Sequence, residues 1–145
     1  MALDYQTSET IPATQLVSDT SGRANLTPDT NGLGYSAGGG SVTQITSRTT
    51  EVTLSKLCGK ITTDTSSLAG LATAKFTVTN TLVEVDDVVV ACIRSGSNSG
   101  GTSVAVTTVA AGSFEIAVQN NNAAAGTAET GAIIINFAVI KAVVV

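Results

Sequence analysis

A chain of 145 residues with only 12% charged residues, about half the usual fraction, is long enough for one modest domain, or for a smaller domain with an arm. Seven Lys+Arg stand against eleven Asp+Glu, a net charge of −4 with no basic cluster, and this excludes the electrostatic footprint of a nucleic-acid binder. The absence of histidine removes the usual base of a serine nucleophile and the commonest nitrogen ligand of zinc.

The opening MALDYQTSET has neither the basic n-region nor the apolar h-region of a secretory signal. The first forty residues hold scattered apolar positions among Ser, Thr, Asp, Asn and both prolines. They follow no period of 2 or 3.6, so this part cannot bury a face against itself, and an extended N-terminal arm is expected over residues 1–40. Gly38, Gly39 and Gly40 read as its hinge. Ile11, Leu16, Val17 and Leu26 are the candidate anchors by which the arm docks on a neighbouring protein or subunit.

From Ser41 to Val145 short β-branched segments alternate with turn signals at the spacing of a sandwich or barrel. The expected strands, about eight of them, are Val42–Ser47, Glu51–Leu54, Gly59–Thr63, Ala74–Thr79, Asp87–Arg94, Thr102–Val109, Ser113–Gln119 and Ala132–Ala142. The fold class expected is all-β, an antiparallel β-sandwich or jelly roll. Alternation is clearest where Phe114, Ile116 and Val118 oppose Glu115, Ala117 and Gln119, and where Phe76 and Val78 oppose Lys75 and Thr77. A single helical turn is conceivable only at TSSLAGLATA, where Ser66 or Ser67 could cap it before Gly70. SGSNSGG (Ser95–Gly101) and AAGS (Ala110–Ser113) supply glycines where hairpins need positive φ.

Two segments, DVVVACIRS and AIIINFAVIKA, are apolar on both faces. This implies burial on both sides or an oligomer interface. A homotrimer is expected on that ground, with Ile134, Ala138 and Ile140 on the subunit side of the last strand and Ile133, Ile135, Phe137 and Val139 on the other. The run from Gly131 to Val145 is interrupted by Asn136 and Lys141 and falls short of the roughly 20 apolar residues that span a bilayer. No membrane partner is expected.

Little in the chain suggests chemistry. Cys58 and Cys92 fit neither a CxxC motif nor a zinc spacing; they read as two small buried thiols, with pairing left open. Glu84, Asp86 and Asp87 in EVDD could hold calcium, but no ordered calcium loop surrounds them and a solvated acidic turn is the simpler reading. Glu115 and Asp64 form a carboxylate pair of the kind any β-domain offers. GLGYSAGGG lacks the lysine and following helix of a P-loop and reads as linker. Phe76, Phe114 and Phe137 sit at apolar strand positions and read as core. No catalytic residue, cofactor, metal or small-molecule substrate is assigned.

The phrases GGGSVTQITSRTTEVTLSKLCGKITT, AKFTVTNTLVEVDDVVVACIRSG, VTTVAAGSFEIAVQNN and AIIINFAVIKAVV together resemble a small β-domain of tailed-bacteriophage virions. The family is that of capsid decoration, or cement, proteins and head-fibre proteins, including those of phages of cyanobacteria. The resemblance covers roughly residues 38–145. It implies a trimeric β-sandwich or jelly roll on the outer capsid surface, at three-fold and quasi-three-fold positions between capsomers, bound to the major capsid protein without cofactor or reaction. An arm on such a domain could add a strand to an exposed sheet edge of a neighbour. A head- or tail-fibre domain that binds a host surface is the alternative, favoured by the long turns Ser95–Gly101 and Asn120–Gly131. A carbohydrate-processing accessory domain would need exposed aromatics that are not found.

Overall fold

The computed structural model describes residues 39–123 and 127–142. The chain divides between Gly34 and Tyr35 into two units, and every described residue belongs to the second. The arm anchors Ile11, Leu16, Val17 and Leu26, and Gly38, lie outside the described residues.

The eight expected strands are all present: β1 Gly40–Thr43, β2 Val52–Thr53, β3 Cys58–Thr62, β4 Thr73–Thr79, β5 Val88–Ser95, β6 Thr102–Ala110, β7 Ser113–Asn120 and β8 Ile134–Ile140. They form two four-stranded sheets, ordered β1-β3-β8-β5 and β2-β4-β7-β6. The pairings of β3 and β5 with β8, and of β4 and β6 with β7, are antiparallel. The short strands β1 and β2 instead pair in parallel with β3 and β4. The first four strands alternate between the sheets, so two crossings of the sandwich separate each parallel pair and bring the chain back in its original direction.

Period-2 patterning decides which side chains fill the space between the sheets. Phe76 and Val78 of β4, Phe114, Ile116 and Val118 of β7, and Ile135, Phe137 and Val139 of β8 are all buried, joined by Ile133 just before β8 and by Ile61 of β3. The rings of Phe114 and Phe137, one from each sheet, meet with centroids 5.2 Å apart at 53°, a tilted pair worth about 1 kcal/mol beyond its buried area. The three phenylalanines are core, as their strand positions predict.

Two differences from the sequence reading have clear causes. The first strand ends at Thr43 rather than Ser47, because the Gln44 side chain turns inward and donates from Nε2 to the carbonyls of Arg48 (3.2 Å) and Thr50 (2.7 Å) while its Oε1 accepts from Asp64 N–H (3.2 Å). These bonds fold residues 44–50 into a loop. The segment around Gly70 forms a turn and no helix, with Leu71 at φ +62° and Ala72 N–H bonded to Ala69 O.

Glycine is required where backbones approach closely. Gly40 and Gly59 lie opposite each other across β1 and β3, and a Cβ on either would fall within 3 Å of a Leu54 methyl. The pair forms a slot that receives Leu54. Gly96 has φ +95°, and a Cβ there would sit 2.0 Å from the Ala132 carbonyl oxygen. Gly100 also has positive φ (+75°), but nothing lies within 4 Å of its virtual Cβ. Gly96→Ala is therefore expected to cost about 3 kcal/mol, combining backbone strain with a clash against backbone. Gly100→Ala should cost only the strain, about 1 kcal/mol. Urea unfolding of the two variants measures the difference, and equal losses would show that the close approach to Ala132 does not matter.

Candidate interaction surface

The two outer faces of the sandwich differ in chemistry. On the second sheet, β4 and β7 present Thr73, Lys75 and Thr77 beside Ser113, Glu115 and Gln119, and the Lys75 Nζ–Glu115 Oε1 ion pair (3.0 Å) lies in the open among hydroxyls. That face is suited to water. In the first sheet, residues directly opposite in an antiparallel ladder share a face, and the register sets Cys58, Ala138 and Val90 in one row, Lys60, Asn136 and Cys92 in the next, and Val88 opposite Ile140. Val88, Val90 and Ile140 are each more than half exposed. An apolar patch with two thiols results.

The three residues expected at a subunit contact, Ile134, Ala138 and Ile140, all lie on this outer face of β8, with Ile134 and Ala138 half-buried and Ile140 exposed. The opposite set, Ile133, Ile135, Phe137 and Val139, is core. The second doubly apolar strand, β5, lies next to β8, so the two outer faces merge. Of the hinge glycines, Gly39 is exposed and Gly40 opens β1, where it makes room for Leu54.

The cysteines correct the expectation of buried thiols. Cys92 is exposed, Cys58 is half-buried, and both are free. They face outward from β3 and β5 with β8 between them and in different rows, so more than the ~9.5 Å of two strand spacings separates them, too far for a bridge within one chain. Their burial would require something laid over the sheet.

The acidic turn reads in the structure as a clamp. Asp87 is buried, and its carboxylate accepts from Glu84 N–H (2.8 Å), Ala142 N–H (3.1 Å) and Lys141 Nζ (2.7 Å). Lys141 Nζ also donates to Leu82 O (3.0 Å) and pairs with Glu84 (3.1 Å). The ammonium thus takes the place a metal cation would occupy, tying the turn to the end of β8. The hydrogen bond from Lys141 holds the Asp87 carboxyl below its ordinary range, and Asp87 in turn raises the Lys141 ammonium. Among the described residues no group of three or more His, Cys, Asp or Glu could hold a metal ion.

Sequence reasoning missed the polar centre of the opposite loops. Glu129 is fully buried. Its carboxylate accepts from the hydroxyls of Thr102 (2.7 Å) and Ser97 (2.9 Å) and from the N–H groups of Asn98 (3.0 Å), Ser99 (3.2 Å) and Gly131 (3.1 Å). Buried Arg48 approaches from the other side. It donates from Nη2 to the carbonyls of Glu129 (3.2 Å) and Gly131 (2.8 Å), from Nη1 to Thr63 Oγ1 (3.1 Å), and from Nε to Ser66 O. Thr63 Oγ1 accepts in addition from Ile133 N–H (2.9 Å). Burial alone would push the Glu129 carboxyl up, but the bonds from Thr102, Asn98, Ser97 and Ser99 outweigh it and hold the group at about 2. Burial lowers the Arg48 guanidinium, and the Glu129 and Asp64 charges oppose that. The long turn Ser95–Gly101 is therefore fixed to the segment before β8. The available signal was slight: one Glu in a neutral stretch, with a Ser/Thr/Gly-rich turn elsewhere to solvate it.

Glu129→Gln removes the charge that five donors and Arg48 are arranged around, and stability should fall by about 3–5 kcal/mol, as when one partner of a buried ionic network is lost. Because the folded-state value lies below the ordinary 4.5, the stability Glu129 contributes is complete above pH about 4.5 and is lost as pH falls toward about 2. Urea midpoints between pH 2 and 6 should fall toward acid more steeply in the wild-type chain than in the variant; parallel profiles would remove Glu129 as the source. In comparisons with known proteins, no family model, curated protein or solved structure matches this chain.

Proposed function

We propose that this chain is a structural virion protein, a capsid decoration or cement protein that binds the outer shell as a homotrimer and bridges neighbouring capsomers of the major capsid protein. The observation that carries the reading is the asymmetry of the sandwich. One outer face is hydroxyl-rich with an exposed ion pair, and the other carries an apolar patch centred on Val88, Val90, Ala138 and Ile140. A contiguous apolar face on a small domain is a contact surface, and the resemblance of the strand phrases to decoration proteins names the assembly it serves.

In this reading Ile134, Ala138 and Ile140 lie at the subunit contact, and the arm with Ile11, Leu16, Val17 and Leu26 engages neighbours on the shell. Each trimer repeats the same patch three times, so individually weak contacts gain effective concentration once the first engages. The work done is mechanical, resisting swelling, heat and internal DNA pressure, with no substrate turned over.

A host-surface-binding head- or tail-fibre domain is the second reading. It is favoured by the loops 96–101 and 127–131 being held together around Glu129, since pre-organised loops suit recognition.

Adding purified protein to stripped particles separates the two. Decoration gives regular occupancy over the whole shell and a higher melting temperature of the particle; a fibre domain gives binding to cells and bare shells. Sedimentation equilibrium at micromolar concentration should report a trimer. Val90→Asp, at an exposed edge-strand position, should change domain stability by no more than about 1 kcal/mol while shifting the protein to monomer. A Val90→Asp trimer as stable as the wild type would remove this face from the subunit contact.

A further inference from the structure

We propose that Lys141 and Asp87 join covalently within one chain, the Lys141 amine forming an amide with the Asp87 carboxyl while Glu84 carries the proton. The bond makes the clamp between residues 84–87 and the end of β8 permanent. It lies inside the domain and does not depend on the assembly proposed for it.

Three groups meet at one nitrogen. Lys141 Nζ lies 2.7 Å from Asp87 Oδ2 and 3.1 Å from Glu84 Oε2, and it also donates to Leu82 O at 3.0 Å. Among the described residues no other lysine touches two carboxylates. Because Oδ2 is bonded to the carboxyl carbon, that carbon stands about 3.5 Å from the amine, the separation of a near-attack geometry.

The surroundings suit a condensation. The Asp87 side chain is fully enclosed, whereas those of Lys141 and Glu84 reach solvent. Enclosure keeps bulk water from the carboxyl carbon, and the two outer partners keep the freedom to turn the amine onto its face. The Asp87 oxygens are already held by main-chain donors, Oδ2 by Glu84 N–H (2.8 Å) and Oδ1 by Ala142 N–H (3.1 Å). Donors so placed stabilise the oxyanion that attack on the carboxyl carbon creates. Lys75 and Glu115 supply the contrast. They are 3.0 Å apart, but the Glu115 carboxylate is shared with the Thr107 hydroxyl and the pair lies in the open. No bond is expected there.

The step balances without a co-reactant. The Lys141 ammonium passes one proton through Glu84 Oε2 to Asp87 Oδ2, which leaves a free amine beside a neutral carboxylic acid. The amine attacks the carboxyl carbon to form the C–N bond, and the C=O electron pair moves onto Oδ1 beside Ala142 N–H. As that pair returns, the C–Oδ2 bond breaks. Oδ2, already carrying the first proton, takes a second from the nitrogen through Glu84 and leaves as water. An ammonium and a carboxylate have become a neutral amide and one water molecule. Asp87 and Lys141 begin as a charged pair in which each favours the ionised form of the other, so the first proton transfer is the slow part and the bond forms once per chain.

Intact-mass spectrometry of the full-length protein, unfolded after prolonged incubation in the folded state, tests the bond. The expected mass is lower by one water molecule than the sequence requires, and proteolysis should release a branched peptide whose fragments join Asp87 to Lys141. Lys141→Arg, which keeps the positive charge, should restore the full mass. Glu84→Gln, at an exposed side chain, should slow formation by about 100-fold or more, the share of a general acid–base group. A full sequence mass after incubation overturns the proposal. So does a water loss that persists in Lys141→Arg or maps elsewhere, as to a cyclised aspartate. Formation at the wild-type rate in Glu84→Gln overturns the part given to Glu84.

Discussion

The fold depends most on a buried carboxylate. Glu129 sits in the segment that leads into β8 and is solvated by five protein donors, three of them from the turn between β5 and β6. Arg48, which reaches the same segment from the loop between β1 and β2, bonds the carbonyls of Glu129 and Gly131 and the hydroxyl of Thr63. One acidic and one basic side chain thus gather four separate stretches of chain at one end of the sandwich. Burying an ion is costly unless its hydrogen-bonding capacity is met, and here it is met: among the described residues no buried side-chain nitrogen or oxygen lacks a partner. The other end is fastened on the same principle by Asp87 and Lys141.

With both ends fixed by polar clamps and the interior filled from both sheets, the outer faces are free to differ. In a sandwich the inner residues of a strand are constrained by packing and the outer ones only by what they meet outside. On β7 the outer positions include Glu115 and Gln119; on β5 and β8 they are mostly apolar, Val88, Val90, Cys92, Ile134, Ala138 and Ile140, with Asn136 and Arg94 the polar exceptions. Valine and isoleucine are good strand residues on either side, so these choices do not weaken the domain. They give it a sticky surface, and the decoration reading makes that surface the place where copies join.

Charge is distributed unevenly over this arrangement. The residues from Ser41 onward are almost balanced in charge, with six Lys+Arg against seven Asp+Glu, so the domain exerts little long-range attraction on a charged partner. The local distribution is less even, because the two cations on the apolar face, Lys60 and Arg94, have no carboxylate on the strands of their own sheet.

Much of the domain was legible from the amino-acid order because period-2 alternation acts locally. Eight strands, the inward set Phe76, Val78, Phe114, Ile116 and Val118, and the positive-φ glycines Gly96, Gly100 and Gly112 all follow from neighbouring residues alone. The two-sided apolar character of β5 and β8 was legible too, but not that these strands are adjacent, which depends on pairing between residues far apart in the chain, as in Val90 and Ala138, 48 positions apart. Only that adjacency turns two apolar edges of pattern into one patch and leaves Cys92 exposed. Arg48 and Glu129 lie 81 residues apart, and each looks by itself like an ordinary surface charge. Their burial was decided by the tertiary structure, because a charge can leave water only where partners from distant parts of the chain have already been brought together.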